Sequence, residues 1–199
     1  MKNKYSISEF VHTCYSLVLT KITMRKARLI RRPIHMRGKK SIEGGTRLTT
    51  GFYCRFDMPG NKKTLFIGDN CEIGDNVHIV AYNNVTIGNN VLMASKIFIS
   101  DTNHGLYTDK LGEKQSSPEV APNSRPLITS ATKIGSNVWI GENVVILPGS
   151  EIGNGCIIGA NTVVKGKIDD NCIAVGSPAI VVKKWNESLQ VWEKVSHEY

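Results

Sequence analysis

The stretch IGSNVWIGENVVILPGSEIGNGCIIGANTVVKGKI, residues 134–168, repeats with a period of six. Ile134, Ile140, Ile146, Ile152, Ile158 and Val164 step through it without a break. Val138, Val144, Ser150, Cys156, Thr162 and Ile168 each follow four residues later. An amphipathic helix repeats its apolar stripe near 3.6 residues, and a half-buried strand alternates every two. Neither yields six. A fixed short repeat of this length predicts a parallel β-helix, a triangular coil of short strands whose stacked turns share one core. The first and fifth residues of each hexad point inward. Glycine, asparagine and aspartate beside them suit tight corners, because they tolerate positive φ. A β-sandwich would space its strands irregularly, at about 8–12 residues.

The period extends upstream. Ile67, Ile73 and Ile79 step by six, two extra residues intervene around Tyr82–Asn84, and Ile87, Met93 and Ile99 resume. The repeat then stops for residues 105–132, which carry Pro118, Pro122 and Pro126 among serines and charges. A run of that length without regular structure in a compact domain is usually functional, and a loop extruded from the coil is expected there.

The flanks read differently. Residues 1–40 hold eleven Lys/Arg against the single acid Glu9, a net charge of +10, whereas the remainder carries −2. Ser6-Ile7-Ser8-Glu9 forms a capping-box pattern. Behind it Ile7, Phe10, Val11, Cys14, Val18 and Ile22 recur at helical spacing until Pro33. Residues 1–40 are therefore expected to form a basic amphipathic helical segment. It would cap one open end of the coil or lie on an anionic membrane surface. The coil itself is assigned to 41–184, with imperfect rungs over 41–66. Residues 185–199 are read as a short C-terminal helix from the spacing of Leu189, Trp192 and Val195.

Composition excludes several classes. The main domain offers no basic face for nucleic acid. Five cysteines without CxxC pairing argue against a disulfide scaffold or a zinc ribbon and suit a reducing cytoplasm. The longest charge-free run in the N-terminal segment, Phe10–Thr20, has 11 residues, too few to cross a bilayer. The expectation is a cytoplasmic chain, either free or peripheral at the inner membrane.

The segment from Ile134 to Lys184 resembles the C-terminal half of the left-handed β-helix acyltransferases. It is most similar to the branch of galactoside, maltose and polysaccharide O-acetyltransferases. MASKIFISDTNHG (93–105), followed by SSP and SRPL, resembles the bacterial O-antigen O-acetyltransferases. The resemblance implies an all-β, left-handed parallel β-helix with an extruded loop, and a homotrimer with active sites between subunits. It also implies transfer of acetyl from acetyl-CoA to a saccharide hydroxyl.

In that family the position of His104 holds the general base, and an imidazole suits the task of taking a hydroxyl proton near neutral pH. Asp101 is a candidate to orient it or to bind acceptor. Asn76 and His78 match the acceptor-binding neighbourhood, and Trp139 matches a tryptophan that contacts acetyl-CoA or acceptor. Gly141, Ala160 and Thr162 match small residues along the pantetheine arm, and Lys165, Lys183 and Lys184 are candidates for the nucleotide phosphates. His78, His104 and Trp139 share one hexad offset, which suggests a shared external surface.

Three alternatives follow from the same fold. One is an acetyltransferase for a small acceptor such as a nucleotide-sugar amine, serine or a xenobiotic. A non-catalytic trimeric scaffold would need neither His104 nor Trp139. A carbonic anhydrase of the γ class binds zinc with three histidines. The coil offers only His78 and His104, so no metal requirement is expected.

Overall fold

The computed structural model describes residues 6–108 and 115–196. It is a β-solenoid with three parallel faces. The first face stacks Leu29–Ile30, Thr49–Thr50, Glu72–Ile73, Leu92–Met93, Trp139–Ile140, Ile157–Ile158 and Cys172–Val175. The second stacks His35–Arg37, Arg55–Asp57, His78–Val80, Phe98–Ser100, Val145–Ile146 and Val163–Val164. The third stacks Ile42–Gly44, Leu65–Ile67, Val85–Ile87, Thr132–Ile134, Glu151–Ile152 and Lys167–Ile168.

Each ladder places like on like. Met36, Phe56, Ile79, Ile99, Ile146 and Val164 are register partners along the second face. From Phe56 onward they are buried, as are the first and fifth hexad positions throughout 134–168. Four cysteines share this interior. Cys54, Cys71 and Cys156 each donate to a carbonyl of the next coil, on Gly74, Gly88 and Asp169, at 3.1 Å. Burial pushes the Cys54 thiol up to about 11, so it stays neutral and packs as a small apolar residue.

Corners turn where the pattern puts asparagine. Asn70, Asn76, Asn90, Asn137, Asn143, Asn161 and Asn171 all have φ between 56° and 59°. Truncating one core rung tests the stacking. Ile146→Ala removes a fully buried side chain between Ile99 and Val164 and should cost about 3 kcal/mol in a denaturant titration.

The N-terminal segment departs from its expected form in two ways. The helix, α1, spans Ile7–Thr23 only, closed at its start by the Ser6/Glu9 capping box. The coil begins at Leu29 and not at residue 41, because Ala27 and Ile30 turn into the core. The helix also packs by its small polar residues. Ser16 and Thr20 are buried, the Ile30 N–H donates to Thr20 Oγ1 at 2.9 Å, and the Arg32 N–H to Ser16 Oγ at 3.3 Å. Two hydroxyls thus satisfy backbone donors on the first coil, which would otherwise be left without partners. The apolar stripe faces outward: Ile7, Phe10, Val11, Val18 and Ile22 are all exposed. No described helix is long and apolar enough to cross a membrane.

The C-terminal helix expected over 185–199 is a β-hairpin over the described residues. Ile180–Asn186 adds antiparallel to Cys172–Val175, and Val191–Lys194 adds to it in turn. Trp185 and Trp192 are direct cross-strand partners, their rings 5.4 Å apart and 64° inclined. That pairing and the unfilled edge of the first face outweigh a weak helical spacing.

Candidate active site

The extruded loop is a built element. The chain leaves the coil at the corner between the second and third faces. Thr102–His104 pairs antiparallel with Leu127–Thr129, and the coil resumes at Thr132–Ile134. Beyond the hairpin, Arg125 ties the loop together. Its Nε donates to Val120 O at 2.8 Å, its Nη2 to Pro118 O at 3.0 Å and its Nη1 to Tyr107 Oη at 2.6 Å. The Tyr107 hydroxyl donates in turn to the His104 carbonyl at 2.7 Å. Gly105, at φ +116°, makes room for that contact, since a Cβ there would stand 2.6 Å from Tyr107 Oη.

His104 is exposed at the end of its strand. Asp101 is fully buried and does not orient it. Its Oδ1 accepts from the Tyr82 N–H at 2.9 Å, and its Oδ2 from Asn83 and Asn84 at 2.7 and 2.8 Å. The carboxylate thus caps the widened corner of the preceding coil and roots the hairpin. This corrects the expected role, because both oxygens are committed to backbone donors.

His78 lies on the second face between Arg55 and Phe98, with Nε2 3.0 Å from Asp57 Oδ2. Burial alone would push the Asp57 carboxyl up. Hydrogen bonds from His78 and Arg55, with the charges of Arg55 and Arg37, hold it below its ordinary value. The folded pKa is therefore depressed, so this contribution to stability is full above the unfolded value and is lost as pH falls through the folded one. Asp57→Asn should make acid unfolding shallower below about pH 4, read by circular dichroism. Asn76 occupies the left-handed corner between the first and second faces.

Trp139 is 52% exposed on the first face, in one outward column with Leu92 and Ile157. It does not share a face with His78. Three hexads complete one turn, so a single offset recurs on all three faces, and the expected common surface does not exist within one chain.

The pantetheine assignments divide as well. Gly141 is buried, and a Cβ would meet Ala160 N at 2.6 Å, so coil stacking demands the glycine. Thr162 is buried, its hydroxyl accepting from the Gly176 N–H at 3.2 Å. The Thr162 hydroxyl is thus engaged within the coil, whereas Ala160 is exposed. Lys165 shares an open cleft of about 360 Å³ with Asn103, Tyr107, Ile128 and Pro148, between hairpin and coil. Lys183 and Lys184 lie on the first strand of the C-terminal hairpin, next to the first face, and as consecutive strand residues they point to opposite sides.

Residues 131–166 match the family model for bacterial transferase hexapeptide repeats. The chain is 41% identical over 194 residues to a protein of Escherichia coli (strain K12) named a lipopolysaccharide biosynthesis O-acetyl transferase, WbbJ, covering 98% of this chain and 97% of that one. It belongs to the hexapeptide-repeat acetyltransferases. The left-handed β-helix is that family's fold, and acyl transfer its chemistry.

Solved hexapeptide-repeat acetyltransferases agree. A galactoside acetyltransferase in complex with coenzyme A superposes with a TM-score of 0.59 at 29% identity, covering 80% of this chain and 76% of that one. One from Vibrio cholerae O1 biovar eltor, complexed with acetyl coenzyme A, gives 0.56 at 25%, covering 74% and 72%.

Sequence reasoning missed Asp57, Arg55, Tyr107 and Arg125. Successive coils on the second face are offset by 23 and 20 residues between Arg55, His78 and Phe98, so the regular hexad count never aligned these columns. The strut from Arg125 through Tyr107 has its own test. If the hairpin carries a reacting group, Arg125→Ala should lower kcat by between about 10- and 100-fold with the KM for acetyl-CoA unchanged, because that group is displaced and not removed.

Proposed function

We propose that the protein is an acetyl-CoA-dependent O-acetyltransferase acting on a sugar hydroxyl of a bacterial surface polysaccharide or its precursor. The near full-length likeness to a lipopolysaccharide O-acetyl transferase supports this reading most. His104 is the general base. Its imidazole takes the proton of the acceptor hydroxyl as that oxygen attacks the thioester carbonyl carbon. The carbon–sulfur bond then breaks, and the imidazolium returns the proton to the departing thiolate. The exposed position of His104 on a braced hairpin supports this role. In this reading Lys165, which lines the adjoining cleft, meets the anionic end of the donor.

The working unit is a homotrimer. Trp139 and Leu92 leave an apolar column uncovered on the first face of the isolated chain. A neighbouring copy packed there would cover that column. The outward stripe of α1 and the net charge of +10 over residues 1–40 support peripheral contact with the cytoplasmic face of the inner membrane. Co-sedimentation with phosphatidylglycerol vesicles, lost in Phe10→Glu, is the expected result.

The function is tested by mass spectrometry of surface glycan from cells with and without the enzyme. A loss of acetyl mass (about 42 Da per site) in its absence supports the reading, and identical glycans overturn it.

A further inference from the structure

The second face carries a charge cluster that the hexad pattern does not require. Arg55 Nε donates to Asp57 Oδ2 at 2.6 Å, His78 Nε2 stands 3.0 Å from the same oxygen, and Arg37 Nη1 lies 3.5 Å from Oδ1. Asp57 is only 7% exposed, and its Oδ1 has no hydrogen-bond partner among the described residues. His35 heads the column above Arg55, and Phe98 follows His78 with its ring 5.3 Å away. Val145 and Val163 continue the column without charge. With the histidines neutral, two guanidinium groups face one carboxylate.

Such a group is costly to build for stability alone. Exposed ion pairs contribute little, and a desolvated carboxylate costs several kcal/mol unless its partners are well placed. The arrangement does achieve orientation. Arg55 commits only Nε to Asp57, and among the described residues its terminal amino groups have no hydrogen-bond partner, on a side chain about half exposed. A guanidinium fork fixed in this way matches the two oxygens of a carboxylate or phosphate. Phe98 offers a flat apolar surface for the C–H face of a sugar ring. The strand that carries Phe98 runs through Asp101 into the hairpin of His104, so the cluster and the proposed base lie on one continuous piece of chain.

We propose that Arg55, Arg37, His78 and Phe98 form a subsite that selects an acidic saccharide, one bearing a carboxylate or a phosphate, with Asp57 as the positioning residue beneath. The proposal rests on the acetyltransferase reading but not on the identity of its base, because binding and not turnover is measured.

Calorimetric titration of the full-chain enzyme with coenzyme A present, at low ionic strength, would use three probes: methyl β-D-glucuronide, glucose 1-phosphate and methyl β-D-glucoside. At least one anionic probe should bind about tenfold more tightly than the neutral glycoside, and which one distinguishes carboxylate from phosphate. Arg55→Gln should abolish that preference, and Arg55→Lys, which keeps the charge but not the fork, should retain part of it. His104→Ala should leave it intact. Equal binding of charged and neutral probes, binding of none, or a preference that survives Arg55→Gln overturns the proposal.

Discussion

His104→Ala should lower turnover by about 10²–10⁴-fold, the range that a positioned general base supplies, while the fold and acetyl-CoA binding persist. The reason lies in how the hairpin is held. Backbone pairing of Thr102–His104 with Leu127–Thr129 and the bond from Gly105 N–H to Pro126 O carry the strand, and the Tyr107 hydroxyl reaches the His104 carbonyl and not its ring. Removing the imidazole therefore opens no cavity and orphans no buried donor. The thermal midpoint should match wild type, and the acetyl-CoA KM should change by less than about twofold if the imidazole acts in the transition state and not in donor binding. Turnover near wild type in this variant would remove His104 from the mechanism.

Asp101→Ala has the largest expected effect on stability, about 4 kcal/mol. The substitution removes a fully buried carboxylate and leaves three backbone N–H groups, those of Tyr82, Asn83 and Asn84, without acceptors. Asp101→Asn keeps one oxygen for part of that set and should lose roughly half as much. Activity should fall in both, because the corner roots the hairpin, but the loss should track the unfolding midpoint and be relieved by cooling. A variant with native stability and a lost pH dependence would instead show that Asp101 acts on the imidazole.

The coil was legible because its physics is local. Each hexad carries its own inward aliphatic and its own corner residue, so a reading of Ile134–Ile168 gave faces, core and corners without any long-range contact. The flanks were less legible. The apolar spacing of α1 was real, but the face that packs was chosen by hydroxyls that could satisfy the first coil's free N–H groups, through Ser16 and Thr20. At the other end, Leu189, Trp192 and Val195 fit a helix by spacing, yet Trp185 lies opposite Trp192 across a hairpin. In both places a partner distant in sequence decided between local alternatives.

The same division runs through the site. The sequence by itself determined the repeat, the point where it breaks, and the histidine, His104, that stands at the break. It also displayed two irregularities separately: the extra residues around Tyr82–Asn84 and the aspartate of DTNHG. Only the tertiary structure joined them. Stacking one coil on the next sets three N–H groups around one carboxylate, 17 to 19 residues apart along the chain. It likewise gathered Arg37, Asp57 and His78 from three coils whose lengths differ, and moved Trp139 to another face. A hexad count gives the direction in which a side chain points, but which side chains meet depends on the length of every turn between them.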